Sequence, residues 1–110
     1  MTEIKIFRDS LGHIVKGELS GHTMCAESGS DIVCASVSSV LYMTLSGIEN
    51  VVGEKFGYET GDGYAFFVLS DVIDDDKRKD IDILLESMVL FFKDLSDQYP
   101  QNVNLTELEV

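Results

Sequence analysis

The chain has few basic residues, few cysteines and one proline, and each shortage narrows what the protein can be. Only 8 lysines and arginines stand against 20 acidic residues, so the formal net charge is -12. Such a surface repels nucleic-acid phosphates and anionic membranes, and it attracts basic partners. One proline among 45% hydrophobic residues argues against disorder. We expect no direct binding of nucleic acid and no membrane association. The acidic surface either binds a basic peptide or protein, or it only increases solubility.

The two cysteines, Cys25 and Cys34, bear on the compartment. No apolar run approaches the ~20 residues of a membrane span, and the first residues lack the apolar core of a secretory signal. We therefore expect a cytoplasmic protein, and in that compartment two free thiols are a better interpretation of the cysteines than a disulfide. A pair at this spacing with one nearby histidine lacks the fourth ligand of a zinc site. We predict no metal and no cofactor.

Hydrophobic periodicity predicts one domain over residues 1–110 with the order β-β-α-β-β-α-β. Period-2 alternation indicates strands, and apolar residues at helical spacing indicate helices. The charged run 71–80 is expected to be a loop passing into the second helix. The predicted strands are 3–8, 13–20, 56–60, 64–70 and 102–109. The first predicted helix is 31–52, and the second begins within the run 71–80, repeats its apolar residues from Ile81 to Tyr99 and ends at Pro100.

Hairpins mixed with helices favour an α+β fold, a two-layer sandwich of a mainly antiparallel sheet and two long helices. The stripe predicted to face the core in the first helix runs from Val33 to Val51. The second helix carries apolar residues outside its own stripe. Either that helix is deeply buried, or a second copy covers the extra residues in a homodimer. These extra residues are Ile83, Leu84, Leu90 and Phe91.

Cys34 is the first candidate for chemistry. It follows Asp31, a strong N-cap residue, by three positions, so it is expected in the first helical turn. Free N–H groups and the macrodipole at a helix start lower a thiol pKa. His22 ends the second predicted strand and could act as base and acid toward that thiol. The alternatives are a small buried cysteine and a histidine without a partner. His13, at the hairpin turn, is expected to be exposed.

Asp31 and Ser38 flank the candidate nucleophile. Asp31 either caps the helix or orients His22, and a carboxylate beside a thiolate favours the cap. Ser38 lies one turn after Cys34 on the same face, where it could hydrogen-bond near the nucleophile or serve as a small packing residue. A redox pair of Cys25 and Cys34 is a further interpretation.

The segment from Ser20 to Ser38 carries a family resemblance. Ser20-Gly21-His22 followed by Gly29-Ser30-Asp31-Ile32-Val33-Cys34-Ala35-Ser36-Val37-Ser38 resembles the ribosomal-processing cysteine protease family of certain bacteria. The opening hairpin and the order of elements resemble it too. Where many members continue the Gly-His pair with alanine, this chain has Thr23-Met24-Cys25.

The resemblance implies a homodimeric α+β cysteine endopeptidase that removes the N-terminal extension of a large-subunit ribosomal protein. Cys34 would be the nucleophile and His22 its partner, with Gly21, Asp31 and Ser38 in support. The segment between them would form one wall of the substrate cleft: Thr23, Met24, Cys25, Ala26, Glu27, Ser28, Gly29 and Ser30. Because ribosomal proteins are basic, the acidity would steer the substrate. The alternative is a non-catalytic acidic module that binds basic ribosomal proteins.

Overall fold

Two hairpins and a final strand form one five-stranded sheet. The structure is a computed structural model that describes residues 1–21, 30–61 and 63–110, with the backbone alone for residues 30 and 31. The strand order is β3-β4-β2-β1-β5. Every pairing is antiparallel except β5 on β1, which confirms the mainly antiparallel sheet. The strands are β1 (Thr2–Arg8), β2 (Ile14–Ser20), β3 (Gly57–Gly61), β4 (Tyr64–Val68) and β5 (Val103–Glu109).

Two helices lie in the second layer. Helix α1 spans Ser30–Ser46 and continues as a π-helical segment, Gly47–Val52. Gly53 ends it at a φ of 86°, a left-handed conformation that glycine adopts without a Cβ penalty. Helix α2 spans Asp75–Gln98. The predicted element order and the α+β class are both confirmed.

Helix α2 begins at Asp75, within the charged run where the sequence predicted the passage from loop to helix. The side chain of Asp74 accepts hydrogen bonds from the backbone N–H groups of Asp76 at 3.2 Å and Lys77 at 3.4 Å. This N-cap, with acidic residues in the first turn, stabilises the positive end of the helix. The charged run 71–80 is therefore a loop up to Asp74 that passes into the first turns of α2, as the sequence predicted.

The core lies between the helices and one face of the sheet. Alternate strand residues point toward the helices, and each helix buries one stripe against them. Of the extra apolar residues of α2, Leu84 and Phe91 pack partly against this core, whereas Ile83 is 66% and Leu90 is 61% exposed. The core includes Ile4, Ile6, Leu19, Phe67 and Val103 from the sheet, Val33, Val37, Leu41, Leu45 and Ile48 from α1 and its extension, and Ile81, Leu85, Met88, Val89, Phe92 and Leu95 from α2.

The predicted stripe of the first helix is wrong at its end. Val51 is 86% exposed, although Ile48 is fully buried. A π-helix has more residues per turn than an α-helix, so the buried stripe shifts and Val51 turns outward. The helical stretch Ile32–Val52 is also long and apolar enough to span a membrane, contrary to the expectation that no run approaches that length.

His13 has a partner, contrary to the expectation of an exposed histidine. Its Nδ1 lies 2.9 Å from Oδ2 of Asp82 on α2. The same carboxylate accepts a hydrogen bond from Nε of Arg78 at 2.8 Å, and Arg78 also donates to the carbonyl of Ile14 at 2.6 Å. This cluster fastens the first hairpin to α2.

Candidate active site

A cleft separates α1 from the neighbouring ends of the sheet strands. It encloses about 200 Å³. One wall is the face of α1 that starts at Cys34, and the other consists of residues at the ends of β1, β2, β3 and β4. No residue with a formal charge is found among the described residues that line it. The wall on α1 has Cys34, Val37, Ser38, Leu41 and Tyr42, and the sheet wall has Thr2, Leu19, Ser20, Gly21, Thr60, Gly61, Gly63, Tyr64 and Ala65.

Cys34 is half-buried and lines this cleft. Because α1 begins at Ser30, Cys34 is its fifth residue and opens the second turn rather than lying in the first. The effect of the macrodipole falls off within the first turn. The helix start therefore contributes less to thiolate stability at Cys34 than the sequence suggested.

Cys34 is disulfide-bonded in this structure. The expectation that it is a free thiol is wrong for this state of the molecule. Cys25, the only other cysteine of the sequence, lies outside the described residues. Since a thiolate is the nucleophilic form of cysteine, the bond has to be reduced before Cys34 can attack a substrate.

Gly21 closes the sheet wall of the cleft next to the predicted base. Its φ of 107° is one that residues with a Cβ rarely adopt. Its N–H donates to the carbonyl of Gly63 at 3.1 Å, which joins the end of β2 to the second hairpin. Gly21 directly precedes His22 in sequence, so this backbone conformation sets the direction in which the chain leaves the sheet.

Three of the predicted site residues, Gly21, Cys34 and Ser38, meet in the cleft. Ser38 is exposed and lies one helical turn after Cys34, as its spacing predicted. Asp31 lies within α1, one residue after its start, and not before the helix as the N-cap assignment expected. Ser30 opens α1 rather than ending a loop. The other candidates lie outside the described residues: His22, Thr23, Met24, Cys25, Ala26, Glu27, Ser28 and Gly29.

Tyr42 and Tyr64 line the cleft as well, and sequence reasoning did not select them. Tyr42 follows Cys34 by two helical turns, so the helical spacing that selected Ser38 could have found it. The ring of Tyr64 on β4 lies against Gly61 on the neighbouring strand β3. A Cβ added to Gly61 would lie 2.4 Å from the Tyr64 ring. The Tyr64 hydroxyl donates to Glu59 at 2.8 Å, and this hydrogen bond raises the pKa of Tyr64. The rim of the cleft is thereby fixed.

Comparisons with known proteins agree over nearly the whole chain. The family model described as "Cysteine protease Prp" matches residues 1–104. The Ribosomal processing cysteine protease Prp of Bacillus subtilis (strain 168) is 27% identical over 108 residues, which cover 96% of each chain. That of Staphylococcus aureus (strain Mu50) is 25% identical over 105 residues, covering 96% of this chain and 97% of its own.

Solved structures share the fold. The crystal structure of SMU.848 from Streptococcus mutans superposes with a TM-score of 0.88 at 25% identity, covering 100% of this chain and 96% of its own. The ribosomal processing protease Prp from S. aureus, solved in complex with a substrate peptide, gives a TM-score of 0.85 at 22% identity and covers 97% and 99% of the two chains.

The fold, a cysteine in a narrow cleft and these relatives define the class: the protein is a cysteine protease. More particularly, the chain belongs to the Cysteine protease Prp family.

Proposed function

We propose that the protein is an endopeptidase that removes the N-terminal extension of a large-subunit ribosomal protein, with Cys34 as nucleophile and His22 as general base and acid. The observation that carries this proposal is the position of Cys34. It lies half-buried in a cleft of about 200 Å³, together with Gly21, the residue before His22. The relatives are named as ribosomal processing cysteine proteases, which supports a ribosomal substrate.

The reaction is acyl transfer. His22 takes the thiol proton as the sulfur of Cys34 attacks the scissile carbonyl carbon, and the carbonyl π electrons move to oxygen. The C–N bond then breaks while His22 returns the proton to the leaving amine. Water, deprotonated by His22, attacks the resulting thioester and expels the thiolate, which recovers a proton. The histidine pKa of ~6.5 allows both roles near neutral pH.

The cleft fits an uncharged stretch of peptide. Its described lining has no formal charge, and its floor contains Leu19, Val37 and Leu41, each at most 6% exposed. Such a floor favours apolar side chains near the scissile bond. A crystal structure of the S. aureus protease with a substrate peptide supports a peptide as ligand of this fold. We assign the remaining wall to the segment 23–30, as the family resemblance implies.

The net charge of -12 suits a basic substrate. Since the described cleft is uncharged, the charge acts at long range and accelerates encounter with a ribosomal protein. We expect the association rate with the full-length substrate to fall as salt rises. An association rate unchanged between low and high salt would remove steering from the proposal.

We also propose a cytoplasmic homodimer. Ile83 and Leu90 are more than half exposed and lie seven residues apart, on the same face of α2. A second copy would cover this apolar pair. Sedimentation velocity tests it: replacing both residues with glutamate should give a monomer, whereas Lys79→Glu on a solvent-exposed position should leave the dimer intact. A wild-type monomer at micromolar concentration contradicts the proposal.

The disulfide at Cys34 supports a second, regulatory role. A nucleophile held in a disulfide is inactive, so oxidation would stop cleavage and a thiol reductant would restore it. Cys25 is the only other cysteine in the sequence. After oxidation by oxidised glutathione, Cys34 first forms a mixed disulfide and releases one glutathione thiolate, and attack by Cys25 would then release the second glutathione. Mass spectrometry should therefore find no bound glutathione on the oxidised wild type and one glutathione on Cys25→Ser. A glutathione retained on the oxidised wild type contradicts an internal switch.

The decisive test is cleavage of a synthetic N-terminal segment of the ribosomal substrate, followed by mass spectrometry under reducing conditions. Wild-type protein should produce one cut, and both Cys34→Ala and His22→Gln should produce none while retaining the wild-type melting temperature. His13→Gln is the matched histidine control, because His13 bonds to Asp82 away from the cleft, and it should cleave at the wild-type rate.

Three results would each overturn part of the proposal. Cleavage by Cys34→Ala at the wild-type rate removes the nucleophile assignment, and cleavage by His22→Gln at that rate removes the base. Absence of cleavage by reduced wild-type protein refutes the substrate assignment.

A further inference from the structure

The hydroxyl of Thr2 belongs to a buried polar residue of the cleft that has no role in the proposed reaction. The residue is 7% exposed. Its backbone N–H donates to the carbonyl of Asn102 at 2.7 Å. No hydrogen bond joins its hydroxyl to any residue that the structure describes. Thr44, the other buried threonine, differs, because its hydroxyl donates to the carbonyl of Val40 at 2.8 Å.

The register of the sheet places Thr2 opposite Gly21, the residue before the proposed base. Glu3 pairs with Ser20 in the antiparallel ladder, so Thr2 stands opposite Gly21. Thr2 and Cys34 line the same cavity. The side chain of Thr2 lies on the face of the sheet that Ile4 also occupies, toward the helices.

The hydroxyl is open to the cleft. Within the described parts of the chain, no fully buried side-chain nitrogen or oxygen lacks a partner. The hydroxyl of Thr2 has no hydrogen-bond partner among the described residues, so its oxygen is not fully buried. The oxygen therefore contacts solvent, and the cavity that Thr2 lines is where this contact occurs. Around it lie the apolar side chains of Leu19, Val37 and Leu41. The floor of the cleft is therefore apolar with one hydrogen-bonding group.

Such a floor discriminates between substrate side chains of similar shape. A side chain with an amide or hydroxyl group can donate to the threonine oxygen or accept from its O–H. An apolar substrate side chain would displace solvent from the hydroxyl of Thr2 and leave that hydroxyl without a hydrogen bond. The affinity for such a substrate is therefore lower. A side chain reaches this deep hydroxyl more readily than the substrate backbone does.

We propose that Thr2 is a specificity-determining residue, which selects a substrate side chain that carries an amide or hydroxyl group at one position beside the scissile bond. This inference rests on the proposed function, because it assigns part of the same cleft. It adds a polar requirement to a cleft whose other floor residues favour apolar side chains.

The test compares peptides in which each residue flanking the cut is replaced in turn by asparagine or by leucine, which have similar shapes. At one position, wild-type protein should cleave the asparagine peptide with a kcat/KM about tenfold higher than the leucine peptide. The difference should lie mainly in KM. Thr2→Val should lose the preference, and Thr2→Ser should keep it. Thr44→Val, which alters a threonine outside the cleft, should behave as wild type.

The serine and valine variants separate specificity from stability. A purely structural Thr2 would tolerate valine, which fills the same volume, and would suffer from serine, which leaves a small cavity. The proposal expects the opposite order in cleavage. A preference retained in Thr2→Val overturns it, and so does the absence of any position at which wild type prefers asparagine.

A binding measurement keeps the test independent of catalysis. The dissociation constants of the asparagine and leucine peptides for Cys34→Ala protein should differ by about tenfold, and Thr2→Val in that background should abolish the difference. If reduced wild type cleaves nothing but this pattern of binding is found, the proposed function fails while the role of Thr2 stands. Equal binding of both peptides overturns the role of Thr2.

Discussion

Replacing Gly17 with alanine should destabilise the sheet through one contact that the structure defines. Gly17 lies in β2 opposite Ile6 on one side and Phe67 on the other. A Cβ at this position would lie 2.3 Å from Cε2 and 2.6 Å from Cζ of the Phe67 ring. Carbon atoms in favourable contact are about 3.5 Å apart. The ring would have to withdraw by more than about 1 Å, yet Phe67 is fully buried.

The magnitude follows from overpacking. Forcing an extra carbon into a filled core costs about 1–3 kcal/mol. Removing a glycine from a strand interior returns about 0.5–1 kcal/mol, because glycine loses the most backbone entropy on folding. We therefore expect a net loss of about 1–2 kcal/mol in the free energy of unfolding. For a domain near 100 residues this lowers Tm by roughly 4–10 °C.

Urea denaturation followed by circular dichroism measures the change. Gly57→Ala is the matched control, because Gly57 lies in the exposed edge strand β3. Its added Cβ would meet Cγ1 of Val68 at 3.1 Å and the carbonyl oxygen of Val68 at 3.9 Å. We expect this control to change stability by less than about 0.5 kcal/mol. In the double variant Gly17→Ala/Phe67→Leu, the smaller side chain should relieve the clash, so the combined loss is smaller than the sum of the single losses. Wild-type stability of Gly17→Ala, or strict additivity, refutes the reasoning.

Three further predictions concern stability. Arg8 hydrogen-bonds Glu107 and thereby lowers the pKa of that carboxylate. The ion pair therefore stabilises the fold fully above the pKa of Glu107 in the unfolded chain, ~4.3. This stabilisation is lost as pH falls through the lower pKa of Glu107 in the folded protein. Glu107→Gln should thus cost about 0.5 kcal/mol at pH 7 and less at pH 3, and an equal cost in urea melts at both pH values contradicts this. Ile48→Ala should cost about 2–4 kcal/mol and Val51→Ala under about 0.5 kcal/mol in thermal melts, and the reverse order contradicts the π-helical register. Gly53→Ala should cost about 1 kcal/mol through its left-handed φ alone, since its Cβ meets nothing within 4 Å; Gly53→Asn should cost less in the same melts.

Local patterns were sufficient to predict the fold. The alternation around Ile4 and Ile6 marks a strand, and the repeat from Ile81 to Leu95 marks a helix, because in each case one face is buried. The local pattern gave a wrong prediction where the backbone departs from the regular α-helical repeat. Val51 fits a 3.6-residue repeat, but the π-helical segment turns it outward. The start of α2, predicted within the charged run 71–80, is set by Asp74 as N-cap.

The candidate site was predictable on one wall. Cys34 and Ser38 are one helical turn apart, so their shared face follows from sequence spacing. The opposite wall depends on the pairing of strands far apart in sequence. Thr2 faces Gly21 only because β1 pairs with β2 in the observed register, and Tyr64 joins them only because β4 pairs with β2. A register shifted by one residue would turn Thr2 away from the cleft.

Charge and selectivity occupy different parts of this molecule. The net charge is -12, yet the described lining of the cleft has no formally charged residue. Interactions beyond about 10 Å are screened at physiological salt, whereas a hydrogen bond inside a cleft is not. Salt should therefore slow association with a long basic substrate and leave unchanged the preference that Thr2 imposes on a short neutral peptide. The association rate thus depends on salt, and the preference for one substrate side chain does not. Varying the salt concentration therefore separates substrate encounter from side-chain recognition in the wild-type protein.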